Sequence, residues 1–102
     1  MKIVKVTYTT NSEYANQNQI NIQKVMSDLH NDIYKGINYN CCLESNGKSF
    51  IHTAFFQSDD DQKLLNELDS FKSFQEQLRA SGLEVAPKQE LLTLVGTSKE
   101  IF

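Results

Sequence analysis

The chain has 102 residues, 39% of them hydrophobic and 23% charged, which is enough apolar content for one folded domain and too little length for two. Ten Lys and Arg against thirteen Asp and Glu leave a net charge of -3, and no basic stripe carries interleaved aromatics, which argues against nucleic acid or an anionic membrane as a partner. The two cysteines, Cys41 and Cys42, are adjacent, a spacing that excludes a disulfide framework, a zinc-ligand pattern and a thioredoxin-type motif.

Residues 2–9 are β-branched and aromatic and alternate in polarity, the pattern of a strand. Val4, Val6 and Tyr8 share one face; Ile3, Lys5, Thr7 and Thr9 share the other. Thr10-Asn11-Ser12-Glu13 has the form of a capping box, with Thr10 as N-cap and Glu13 reaching back to it. A helix is predicted over 12–34, because Tyr14, Asn18, Ile22, Val25, Met26, Leu29 and Ile33 fall on one stripe at helical spacing. Gly36 stands where a glycine closes a helix.

Residues 37–56 read as a hairpin around Asn46-Gly47, which favours a two-residue type I′ turn. With those two residues in the turn, Leu43 faces Phe50, Cys41 faces His52, Tyr39 faces Ala54 and Ile37 faces Phe56. That face is apolar except for the histidine. The other face pairs Cys42 with Ile51, Asn40 with Thr53 and Asn38 with Phe55. Since neighbouring strand residues point to opposite faces, Cys41 and Cys42 are read as reduced packing cysteines that cannot readily bridge each other.

Asp59-Asp60-Asp61 precedes Leu64, Leu65 and Leu68 and suits the start of a helix, where free amides favour carboxylates. Three consecutive carboxylates do not converge on one point, so no metal is expected there. Phe71, Phe74, Gln75 and Leu78 mark the buried side of a helix that Asp69 or Ser70 could cap and Gly82 closes; a break near residue 69 would divide the region in two, and the sequence leaves one helix or two open over 60–81. After Pro87, residues 89–97 are predicted as the last strand, and the tail to Phe102 ends apolar. No run approaches the ~18 apolar residues of a membrane span. Met1-Lys2-Ile3-Val4-Lys5 lacks the apolar stretch of a signal peptide, so a cytoplasmic protein is expected.

The order strand, helix, strand, strand, helix, strand predicts an α+β, ferredoxin-like βαββαβ domain spanning residues 1–102, an antiparallel sheet with its helices on one face. The face that the helices leave bare carries Ile3, Cys42, Ile51 and Phe55, joined by Leu91 and Val95 or, with the other parity, by Leu92 and Leu94. At about 25 cal/mol per Å² of exposed apolar surface, that face predicts a homodimer with sheet packed on sheet.

The element order, the length and the ending (Phe71-Lys72-Ser73-Phe74-Gln75, then Pro87, then Leu92-Thr93-Leu94-Val95-Gly96) resemble the dimeric α/β-barrel superfamily, in particular small proteins related to the antibiotic biosynthesis monooxygenase domain. The resemblance covers essentially the whole chain. It implies a homodimer, a small and largely apolar organic ligand, and cofactor-free oxygenation or isomerisation; a non-catalytic sensing or structural dimer is the alternative. Heme-degrading members use a Trp near the porphyrin, and quinone-forming members commonly place one near the substrate; this chain has no Trp.

His52 is the leading candidate for a site residue. The hairpin register aims it into the layer between helices and sheet, beside Cys41 and one pair from Tyr39, where a neutral imidazole can act as acid, base or ligand donor. Tyr8, at the end of the first strand, and Asn18, on the inward stripe of the first helix, complete a candidate ligand pocket of His52, Tyr8, Asn18, Tyr39 and Cys41. The competing reading makes His52 and Asn18 structural groups bonded to neighbours. His30 lies among polar helix positions and is expected at the surface.

Overall fold

Alternation alone is enough to form the central strands, because every second side chain leaves water for the helix layer. The computed structural model describes all 102 residues, in the order β1 (Lys2–Thr9), α1 (Ala15–Asp28), β2 (Ile37–Leu43), β3 (Ser49–Phe56), α2 (Asp59–Glu67), α3 (Asp69–Ala80) and β4 (Val85–Leu92), with a short 3₁₀ turn at Asp32–Tyr34 before β2. The sheet order is β2-β3-β1-β4 and every neighbouring pair is antiparallel. This is the ferredoxin-like α+β fold. Val4, Tyr8, Phe50, Ala54 and Phe56 from the sheet form one core with Ile22 and Val25 of α1, Leu65 of α2, and Phe71, Phe74 and Leu78 of α3.

The hairpin register is the expected one, from Ile37 opposite Phe56 to Leu43 opposite Phe50. Its turn is not type I′. No residue other than glycine has a positive φ, and within this turn only Gly47 takes the left-handed conformation, at φ 77°. Asn46 uses its side chain instead: Oδ1 accepts from the amides of Lys48 (3.0 Å) and Ser49 (2.9 Å), a local bond that asparagine offers in turns.

The first helix is shorter than predicted at both ends. Thr10 does not cap it. Thr10 is fully buried, and its amide (2.8 Å) and hydroxyl (3.2 Å) both donate to the Lys48 carbonyl at the end of the hairpin. The Asn11 side chain accepts from the Tyr14 amide in its place, at 2.8 Å. At the other end α1 stops at Asp28, and Asn31 opens the 3₁₀ turn by accepting from the Ile33 amide. Ile33 therefore leaves the apolar stripe and is exposed. Gly36 closes no helix. It precedes β2, and a β-carbon there would collide with the Asp61 carboxylate.

The second helical region is two helices joined at Leu68, whose ψ of 122° is extended. Ser58 and Asp61 form a reciprocal capping box at the start of α2, so the acidic triplet does sit at a helix N-terminus, where it is favourable. α3 ends at Ala80 and is capped by Ser81, followed by Gly82 at φ 80°.

The last strand differs most from expectation. It begins at Val85 and ends at Leu92, so Pro87 lies within it and residues 93–97 lie beyond it. Proline is tolerated because β4 is an edge strand, and because the register shifts by one residue between Thr7/Lys88 and Thr9/Val85; a bulge at an edge is where a missing N–H is harmless. Leu92 pairs with Ile3 on the face away from the helices, and Leu91 pairs with Val4 on the helix side. The outer face is not bare. Ile3 is buried and Ile51 and Phe55 are half-buried, while the tail leaves β4 at one edge and reaches the opposite edge strand, where Asn38 Nδ2 donates to the Ile101 carbonyl at 2.8 Å. Apolar exposure is concentrated instead at Val85, Leu91, Leu92, Leu94 and Val95. Cys42, expected to pack, is exposed.

Candidate functional site

His52 stands mid-strand in β3, opposite Val6 of β1 and Cys41 of β2, and is buried under α3, with its ring centroid 5.5 Å from that of Phe74. Both of its nitrogens are occupied. Nε2 lies 2.7 Å from the Tyr8 hydroxyl and Nδ1 lies 2.6 Å from the Tyr39 hydroxyl. Behind Tyr8, the fully buried Asn18 of α1 donates from Nδ2 to the same hydroxyl at 2.8 Å. Four residues from three strands and a helix thus form one chain of hydrogen bonds, Asn18, Tyr8, His52, Tyr39.

Desolvation holds every member of this chain neutral. Burial pushes the His52 pKa down to about 4, and burial raises those of Tyr8 and Tyr39 well above the ordinary phenol value. A neutral imidazole carries one N–H and one acceptor nitrogen, so one tyrosine must donate to it and the other must accept. With Asn18 donating to Tyr8, Tyr8 gives its proton to Nε2. The imidazole proton then sits on Nδ1 and is given to Tyr39, whose own hydroxyl proton is free for a further acceptor. Turning the Asn18 amide over reverses the direction, because its Oδ1, which otherwise has no partner, then accepts from Tyr8. A proton taken up at one phenol can therefore be matched by release of another from the other phenol, both of which line the cavity, while the imidazole exchanges tautomers and no charged imidazolium forms in the interior.

The chain borders a cavity of about 280 Å³, at the small end of the roughly 300–1,000 Å³ typical of small-molecule sites. Its sheet side is Val6, Tyr8, Tyr39 and His52, its helix side includes Phe71 and Phe74 of α3, and Gln75, Arg79 and Gln89 also line it. No carboxylate is among the lining residues. A larger groove of about 580 Å³ lies between α1 and the β2 edge and takes in Tyr39 and Cys41, with Ile101 and Phe102 of the tail.

Three of the five sequence candidates, His52, Tyr8 and Tyr39, thus line one cavity. Asn18 stands one hydrogen bond behind them. Cys41 opens on the other groove, makes no bond to His52, and is held as a thiol, since burial and the neighbouring Cys42 push its pKa up to about 12. His30 is exposed. Sequence reasoning missed Arg79 and Gln89. Arg79 follows Phe71 and Gln75 at steps of four, which places the three on one ridge of α3, and that spacing was available as a signal. Gln89 was hidden by the misplaced start of β4.

No protein-family model matches the sequence, and comparison with curated proteins finds no match. Solved structures do match in fold. An antibiotic biosynthesis monooxygenase superposes with a TM-score of 0.78 at 9% identity, covering 94% of this chain and 100% of the other. Rv0793 from Mycobacterium tuberculosis gives 0.78 at 8% identity over 96% and 98% of the two chains. A variant of SnoaB, a cofactor-independent oxygenase from Streptomyces nogalater, gives 0.69 at 15% identity over 97% and 98%. The chain has the fold of the antibiotic biosynthesis monooxygenase proteins over nearly its whole length. No helix is long and apolar enough to cross a membrane.

Proposed function

We propose that the chain binds a small, largely apolar organic molecule in the cavity between the sheet and α3, and moves a proton to or from it through Tyr39, His52 and Tyr8. The observation that carries this reading is the unbroken hydrogen-bond chain at the cavity wall, in which both imidazole nitrogens are held by phenols. Such a chain can take a proton from an activated C–H and return it at another atom, which is isomerisation. With dioxygen as co-reactant, a methylene becomes a carbonyl as one oxygen atom bonds to carbon and the other leaves as water with the two methylene hydrogens, the relay taking the first proton in at Tyr39 and giving one out from Tyr8 to the departing oxygen; SnoaB, of the same fold, is described as a cofactor-independent oxygenase. The pocket residues supply acid–base chemistry and apolar contact, so the reading calls for no cofactor.

The test is a thermal-shift screen with phenols and quinones, followed by two measurements on each stabilising compound: oxygen uptake, and exchange of ligand C–H for deuterium in D2O by NMR. Wild type is expected to show one of the two, with a loss of about 10²-fold in Tyr39→Phe, the scale of a lost general acid–base group. Binding without either reaction would leave a ligand sensor in place of an enzyme.

The proposal includes a homodimer. Leu92 pairs with Ile3, and Ile3 with the half-buried Phe55, on the outer sheet face, and the exposed Leu94 and Val95 follow Leu92 in the chain; a second copy packed there would shield this apolar surface. Sedimentation at low micromolar concentration is expected to give the mass of two chains, falling to one in the double variant Leu92→Lys, Val95→Lys. A wild-type monomer would overturn this part of the reading.

A further inference from the structure

Arg79 is the only arginine among the 102 residues, and it lines the cavity beside His52. It takes part in neither of the chain's two ion pairs, Lys48–Glu84 and Lys88–Glu90, and no side-chain hydrogen bond engages it. The protein carries a net charge of -3, yet the cavity's one formal charge is positive. Of the other polar lining groups, Tyr8 and His52 are bonded to each other, and the Gln75 and Gln89 amides and the Tyr39 hydroxyl can donate. Phe71, Phe74 and Val6 make the rest apolar.

From this we infer that the ligand is an anionic amphiphile: a body of one or two rings seated against Phe71 and Phe74, bearing one anionic oxygen group, carboxylate or phenolate, that Arg79 receives. The inference rests on the pocket proposed above and names the class of molecule it takes. A guanidinium presents paired N–H donors that match a carboxylate and bind it more strongly than neutral donors do. Arg79 itself is exposed at the cavity rim, so the gain is that of a surface charge paired in good geometry, about tenfold at most. The cavity volume of about 280 Å³ limits the body to that size, and the two glutamines can add hydrogen bonds to the same oxygens. If the bound molecule loses a proton to the relay, the anion that forms lies in the same positive field, which would favour it.

The experiment uses three probes of equal ring size, 2-naphthoate, 2-naphthol and 2-methoxynaphthalene, titrated into the intact protein at pH 7.5 and, for the naphthol, also at pH 10, with binding followed by probe fluorescence. Naphthoate is expected to bind about tenfold more tightly than the methoxy compound, the scale of one charge-assisted hydrogen bond. Arg79→Gln is expected to abolish that preference while leaving methoxynaphthalene affinity unchanged, and Arg79→Lys to retain part of it. Naphthol that gains affinity on ionisation, in wild type and not in Arg79→Gln, would extend the class to phenolates; no gain restricts it to carboxylates. Equal binding of naphthoate and methoxynaphthalene would overturn the inference and leave the pocket standing. Failure of all three probes to bind at millimolar concentration would overturn both. Because Arg79 is exposed, the substitutions are expected to leave the melting temperature of the free protein unchanged.

Discussion

Acidification from pH 6.5 to pH 4 is expected to remove on the order of 3 kcal/mol of folding stability through His52 alone. In the folded chain, burial holds this imidazole to a pKa of about 4 against an ordinary value of 6.5. Between those values the unfolded chain binds a proton that the folded chain refuses, so stability rises with pH across the window and falls as the solution is acidified through it. The contribution is complete above pH 6.5. Below about pH 4 both states are protonated and the loss levels off. Urea denaturation at half-unit steps of pH, on wild type and His52→Gln, isolates the effect: glutamine keeps one donor and one acceptor for the two tyrosines and does not titrate. Parallel pH profiles for the two proteins would show that His52 takes up its proton in the folded state, and the neutral relay would fail with that result. The same profile bears on function, since a wet, protonatable His52 could not pass protons by tautomer exchange alone.

Phe50→Ala is expected to cost about 3–5 kcal/mol, the range for deleting a buried aromatic ring. Phe50 is 2% exposed, lies directly opposite Tyr8 in β1 and stacks on it with ring centroids 5.5 Å apart. A chain of this length has a total stability of about 5–15 kcal/mol, so the variant sits close to unfolding. The midpoint of urea denaturation is expected to fall with little change of slope. Tyr8 loses the wall that holds its hydroxyl against His52, so ligand-dependent proton exchange should weaken more than melting alone would predict. A shift below about 1 kcal/mol would mean that the neighbouring side chains close over the gap, and that Tyr8 is not braced by this ring.

The site was half legible before the structure. His52, Tyr39 and Cys41 could be put on one face because a strand repeats every two residues and Asn46-Gly47 pinned the register; the turn itself then adopted a different form without disturbing that register. Asn18 was legible as a polar residue on an apolar stripe. The bonds were not. Whether His52 meets Cys41 directly opposite, or Tyr8 and Tyr39 nearby, depends on side-chain reach, and two long phenols took both nitrogens. Arg79 shared the ridge of Phe71 and Gln75, but that spacing said only which way it faces, and a basic residue in the last turn of a helix is favourable for reasons that have nothing to do with a ligand.

Periodicity and turn chemistry determined, from the residues alone, the order of strands and helical regions, the pairing of β2 with β3 and the face that carries the core; whether the second helical region was one helix or two stayed open until the structure divided it at Leu68. Each of these depends on residues close in sequence or on a repeat that one strand or helix imposes. Only the tertiary structure decided that Thr10 would serve the sheet and not a helix, that Pro87 would sit at an edge bulge within β4, and that the tail would reach Asn38. It also brought Arg79 to a cavity floored by His52. Those outcomes turn on distant groups competing for the same space and the same hydrogen bonds, and that competition is settled only when the layers close.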